Sequence, residues 1–164
     1  MTFNSKIVPC LWFDRQAEEA ANFYTGIFPN SRITDVQNYP ETENETFGDR
    51  AGQVLIVGFE LEGQPFTALN GGPEFTFNES ISFQVICDDQ AEVDHYWEKL
   101  GAGGDPAAQQ CSWLKDRYGV SWQIAPKRLL ELITDADPDR ARRALMSISD
   151  MKKIDLAAVE AAVG

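Results

Sequence analysis

The sequence predicts an α+β fold built from two similar βαβββ halves, with helices added at the C-terminal end. Three observations carry this. A five-residue motif occurs twice, as Asp14-Arg15-Gln16-Ala17-Glu18 and as Asp88-Asp89-Gln90-Ala91-Glu92, 74 residues apart. Each copy follows a short β-rich run and precedes a helical pattern. Beyond Pro126 the pattern is helical only.

The elements follow in order. Ile7 to Phe13 and Ile81 to Cys87 have the length and β-branched or aromatic content of strands. After the first motif, Ala20, Phe23, Tyr24 and Ile27 recur at helical spacing, and Val93, Tyr96, Trp97 and Leu100 do so after the second. Asp14 and Asp88 stand where helix N-caps are expected, with Glu18 and Glu92 near the positive end of the helix dipole. Phe28-Pro29-Asn30-Ser31 ends the first helix, and Gly101-Ala102-Gly103-Gly104 ends the second. Ser31 to Tyr39 reads as a strand. Gln53 to Glu62 and Pro65 to Leu69 read as a hairpin turning at Glu62-Gly63-Gln64. Gln110 to Lys115 and Val120 to Ala125 read as another, turning through Asp116-Arg117-Tyr118-Gly119. Residues Pro40 to Gly52 read as a polar, acidic loop. Asp137-Pro138 caps and opens a helix to about Met146, and Asp155 caps a last one carrying Leu156, Val159 and Val163. The expected division is a first module over residues 1–72, a second over 73–126 and a helical extension over 127–164.

Composition narrows the function. The chain has 164 residues and is 43% apolar, enough for a packed core. No apolar run approaches the roughly 20 residues of a membrane span. Met1 to Lys6 is polar and lacks the apolar core of a signal peptide, so the expected location is cytoplasmic. The net charge of −12 repels phosphate backbones and disfavours nucleic acid as a partner. Cys10, Cys87 and Cys111 are odd in number and widely spaced, which argues against a disulfide framework or a zinc knuckle; each reads as a small buried hydrophobe. Glu18-Glu19 and Asp88-Asp89 are accounted for by capping. Asp116-Arg117 reads as an Asx-type turn with a surface pair. His95, the single histidine, lies off the apolar stripe of its helix and should face solvent.

Several segments together carry a family resemblance: Pro9-Cys10-Leu11-Trp12-Phe13, Gln16 to Ala20, Phe23-Tyr24, Phe28-Pro29-Asn30-Ser31, Leu69-Asn70-Gly71-Gly72-Pro73, and Trp113 through Gln123. In these the chain resembles the PhnB-like branch of the vicinal oxygen chelate superfamily, the branch often labelled demethylubiquinone methyltransferase-like. The superfamily also includes glyoxalases, extradiol dioxygenases and bleomycin-resistance proteins. Methyl transfer of the Rossmann type finds no support, because Gly101, Gly103 and Gly104 close a helix, whereas a nucleotide fingerprint opens one.

The resemblance implies a curved open barrel around a cavity, with the two sheets' concave faces inward and the helices outside. Strand alternation then turns Val8, Cys10 and Trp12 inward, with Ser82, Gln84 and Ile86 matching them in the second half, and Ser121 and Gln123 inward from the final strand. Metal-using members hold a divalent ion with four residues, and the matching positions here are Val8, Thr67, Ser82 and Gln123. Valine cannot ligate, threonine and serine are weak ligands, and only Gln123 resembles a family ligand, so no metal and no other cofactor is expected. The ligand-facing set is therefore Val8, Cys10, Trp12, Thr67, Ser82, Gln84, Ser121 and Gln123, an aromatic wall with neutral hydrogen-bonding groups. Two functions stay open. One is binding of a small molecule, aromatic or cationic, without chemistry. The other is an enzyme with non-standard groups, such as Cys10 as nucleophile or Glu41, Glu43 or Glu45 supplied by the acidic loop. A homodimer is expected from the habit of the superfamily.

Overall fold

The computed structural model describes residues 5–41 and 48–164. The chain divides into two compact units, one running to Thr76 and the other comprising Phe77–Gly164. No helix among the described residues is long and apolar enough to cross a membrane.

The first unit is a complete βαβββ module. It comprises β1 (Cys10–Phe13), α1 (Ala17–Thr25), β2 (Arg32–Asn38), β3 (Val54–Leu61) and β4 (Gln64–Asn70). The sheet order is β1-β4-β3-β2, with β1 parallel to β4 and the other pairs antiparallel. Alternation sorts the side chains: Leu11 and Phe13 are buried and Trp12 is half-buried, while Cys10 is exposed and not the buried hydrophobe its apolar stretch suggests. Val57, Phe59, Phe66 and Ala68 share the buried side through the ladder registers. Tyr24 of α1 stacks on Phe59 at 6.2 Å, and Phe59 on Phe66 at 5.3 Å. Burial of a ring such as Phe59 contributes about 2–3 kcal/mol. The β3–β4 hairpin turns through Glu62 and Gly63, both at positive φ (48° and 79°), the mirror-image turn that matches strand twist.

The cap of α1 corrects the sequence reading. Asp14 does not cap; the N-cap position is Gln16, whose side chain makes no capping bond. The first helical N–H, of Ala17, donates instead to Asn70 Oδ1 at 2.8 Å, from the end of β4. Asn70 Nδ2 donates to Val54 O at 3.0 Å, and Asn70 O accepts from the Tyr39 hydroxyl at 2.6 Å. One buried amide thus joins α1, β3 and β4.

The second unit comprises β5 (Phe83–Cys87), α2 (Gln90–Gly101), β6 (Trp113–Lys115) and β7 (Ser121–Pro126), followed by α3 (Lys127–Ile133), α4 (Pro138–Ser147) and α5 (Leu156–Val163). Its sheet order is β5-β7-β6. The fold class is α+β, but this module departs from expectation. Only two strands follow α2, so the counterpart of β2 is absent. Residues 102–112 are instead taken up by glycines, a short 3-10 turn at Pro106–Ala108 and a tight turn into β6. Neither sheet closes into a barrel.

The cap of α2 is also one residue on from Asp88. Asp89 accepts from Glu92 N at 2.9 Å, and Glu92 reaches back to Asp88 N at 2.7 Å. The expected caps Asp137 and Asp155 are observed on α4 and α5. Leu129, Leu132, Ala144, Ile148, Ile154, Val159 and Val163 form the extension's own buried cluster.

Asn70→Ala removes the cap of α1 and strands Val54 O. It is expected to destabilise the protein by about 2–3 kcal/mol in urea unfolding, with Asn70→Asp losing less because it keeps the acceptor. A loss below about 0.5 kcal/mol would show that the helix is held by packing alone.

Candidate functional site

Each sheet has one face against its helix and one face free of it. On the first sheet, Cys10 pairs in register with Thr67 and Trp12 with Leu69, so these four side chains share the helix-free face with Ile56 and Gly58 of β3. Val8 precedes β1 and is half-buried; Thr67 is buried, and its N–H donates to Pro9 O at 2.9 Å. Trp12 is held by its own strand end. Its indole N–H donates to Gly72 O at 2.8 Å, its ring meets Phe75 edge-on at 5.0 Å, and it lies against Gly71. A Cβ at position 71 would come within 2.2 Å of the Trp12 ring, which explains glycine there.

On the second sheet, Gln84 pairs with Gln123, Trp113 with Gln123, and Lys115 with Ser121. The polar side chains form a chain: Gln84 Nε2 donates to Gln123 Oε1 at 3.3 Å, and Gln123 Nε2 donates to Ser82 Oγ at 2.7 Å. Ser121 is 2% exposed, and its hydroxyl has no hydrogen-bond partner among the described residues. Lys115 is ion-paired with Glu79, whose carboxyl it holds below the usual carboxylate range.

The two ladders are equivalent. Cys10 and Gln84 are 74 residues apart, as the repeat requires, and their partners across the parallel pair are Thr67 and Gln123. Thr67 therefore occupies in the first sheet the place Gln123 occupies in the second.

A divalent ion does not fit these positions. Val8 has no donor atom, Ser82 Oγ already accepts from Gln123, and Gln123 Oε1 accepts from Gln84. Among the described residues no group of three or more His, Cys, Asp or Glu could share an ion. His95 is exposed on α2 with its ring edge against Tyr96. Glu41 is exposed, and Glu43 and Glu45 lie outside the described residues.

Two further polar features escaped the sequence reading. Asp116 is 2% exposed and not at a surface turn. Its Oδ1 accepts from Tyr118 N (2.8 Å) and Val120 N (3.1 Å), and its Oδ2 from Trp122 Nε1 (2.8 Å), fixing the turn into β7; the Asx geometry was legible, the burial was not. Arg117 instead donates to Ala102 O at 3.2 Å. In the first unit, Arg50 donates to Gly71 O at 3.1 Å and to the Tyr39 hydroxyl at 3.3 Å. That hydroxyl holds its guanidinium pKa above the usual value. Asp14, Glu18, Asp49 and Arg50 rim a polar hollow of about 450 Å³ there.

The model of the 3-demethylubiquinone-9 3-methyltransferase family matches residues 5–125. The chain belongs to this family. A PhnB protein from Bacillus cereus in it is 34% identical, with a TM-score of 0.62 over 74% of this chain and 99% of its own. Protein PA1353 from Pseudomonas aeruginosa is similar in fold at 19% identity, with a TM-score of 0.58 over 75% of this chain and 98% of its own. So is the fosfomycin resistance protein FosX from Mesorhizobium loti, at 14% identity and a TM-score of 0.52 over 87% and 100%. No match to a curated protein was found. The chain is thus PhnB-like, as its motifs implied.

Cys87, at the end of β5, is fully buried. Burial, with added repulsion from Glu92, Asp89 and Asp88, pushes its thiol up to about 12. The raised folded value means that any stability linked to this thiol is intact below about pH 9 and is lost as pH rises from about 9 toward 12. In the native protein at pH 7.5, iodoacetamide is expected to label exposed Cys10 and spare Cys87, read by peptide mass spectrometry. Equal labelling of both would refute the buried, protonated thiol.

Proposed function

We propose that this PhnB-like protein binds a small organic molecule on a helix-free sheet face, without a divalent metal. The observation that carries the reading is the neutral polar chain Ser82–Gln123–Gln84 beside the unpartnered hydroxyl of Ser121. A buried hydroxyl without a partner costs about 1–3 kcal/mol, and a ligand group that bonds it recovers part of that. Gln84 is exposed and Gln123 half-buried, so their amides, unlike the buried Ser121 hydroxyl, are accessible to a ligand as they stand.

The helix-free face of the first sheet carries, on its own unit, aromatic and apolar surface at Trp12 with Val8, Cys10 and Thr67. An aromatic face and a net charge of −12 favour aromatic or cationic compounds. Sequestration of such a compound requires no acid–base pair. On the same footing we place the protein in the cytoplasm as a homodimer, with residues 1–72, 73–126 and 127–164 as its parts.

Thermal-shift screening with a panel of aromatic and cationic compounds, followed by calorimetry on the best of them, tests this. Gln123→Ala is expected to weaken binding about tenfold, the worth of one or two hydrogen bonds, with the fold retained by circular dichroism. Chelation with EDTA is expected to leave both melting temperature and affinity unchanged. About one divalent ion per chain by elemental analysis, lost together with binding, would overturn the metal-free reading. No stabilising compound, with Trp12→Ala altering stability alone, would overturn binding itself.

A further inference from the structure

The turn that leads into β6 is unfavourable for the residues that form it. Gln110 to Trp113 is closed by Trp113 N donating to Gln110 O at 2.8 Å, and its two central residues, Cys111 and Ser112, have φ of 48° and 74°. Two successive positive φ values define the mirror-image turn that Asn-Gly adopts readily. Neither Cys nor Ser is at ease there, because Cβ crowds the backbone in the left-handed region. The turn therefore depends on bonds from elsewhere.

Those bonds come from the C-terminal extension. Cys111 N donates to Met151 O at 2.8 Å, and Ser112 N donates to Lys152 O at 3.0 Å. The accepting segment is itself fastened to α2. Gln90 Nε2 donates to Ile154 O at 3.0 Å, Gln90 Oε1 accepts from Leu156 N at 2.9 Å, and Lys153 pairs with Asp94 at 2.5 Å. Ile154 is fully buried between these ties. On its other side the turn is bonded to the sheet, since Ile124 N donates to Ser112 O at 2.9 Å. The next strand, β6, is three residues long and sets Trp113 against Gln123 and Lys115 against Ser121. The family match ends at residue 125, so the two extension carbonyls that receive the turn's N–H groups, Met151 O and Lys152 O, lie beyond it.

We propose that the extension is a latch on the candidate binding face. Docked, it holds the Cys111–Ser112 turn and thereby the places of Trp113 and Lys115 beside Gln123 and Ser121. Released, the turn relaxes toward negative φ and β6 leaves its register. The importance of that face rests on the binding reading above; the latch itself does not.

Native-state hydrogen exchange by NMR on the full chain tests the latch without any ligand, so its failure and the failure of ligand binding are separate results. In a low-urea series, the amides of Cys111, Ser112 and Leu156 are expected to open as one unit, with coincident dependence on urea. Gln90→Ala, which removes both side-chain bonds to the segment, is expected to speed exchange at all three by about tenfold and to shift the Trp113 indole resonance. Adding Cys111→Asn with Ser112→Gly to Gln90→Ala is expected to return the Trp113 resonance while Leu156 stays fast, because the turn then holds itself. Separate opening of Leu156 and the turn amides in the unsubstituted protein overturns the proposal, and this measurement decides even if Gln90→Ala does not fold. A Trp113 resonance unmoved by Gln90→Ala, or one displaced equally with and without the turn substitutions, overturns it as well.

Discussion

The first unit depends on one side-chain amide. A helix that starts after a parallel-paired strand must satisfy its first N–H groups in a crowded corner, and α1 brings no capping side chain of its own. Asn70 supplies the acceptor from across the sheet and uses its donor on Val54. The residues around it are arranged to keep that amide in place. Tyr39 and Arg50 brace the backbone of Asn70 and Gly71, and Phe13 O receives the N–H of Gly71. Trp12 then lies on Gly71 and bonds Gly72, so the position of the aromatic surface follows from the same corner.

The second unit solves the same problem differently. Asp89 caps α2 locally, which frees Gln90 of the repeated motif to reach the C-terminal segment. The repeat is thus conserved in letters and divergent in use: Gln16 is an idle N-cap, and Gln90 is a tie between α2 and the extension. With no counterpart of β2, the turn before β6 has its outward N–H groups received by Met151 and Lys152.

What was legible in the sequence is what local chemistry determines. Strand alternation sorted Cys10 and Trp12 from Leu11 and Phe13, and the caps Asp137, backed by Pro138, and Asp155 fell where expected. Long-range satisfaction was not legible. Nothing near Ala17 announces that its N–H is met 53 residues away, and a motif with Asp at its head points to the wrong cap. Burial of Asp116 was hidden for the same reason, since its Trp122 partner is contributed by the next strand. Of the candidate site, the alternation and the Thr67–Gln123 equivalence could be read. The bonding among Ser82, Gln84 and Gln123 needed the register.

The indole of Trp12 carries a consequence for selectivity. Its single donor is already taken by Gly72 O, so what the ring can present to a visitor is its π surface alone. A π surface sorts guests by outline and charge, not by the pattern of their donors and acceptors. A wall of this kind tolerates many congeners of one shape and does not separate them by their polar groups.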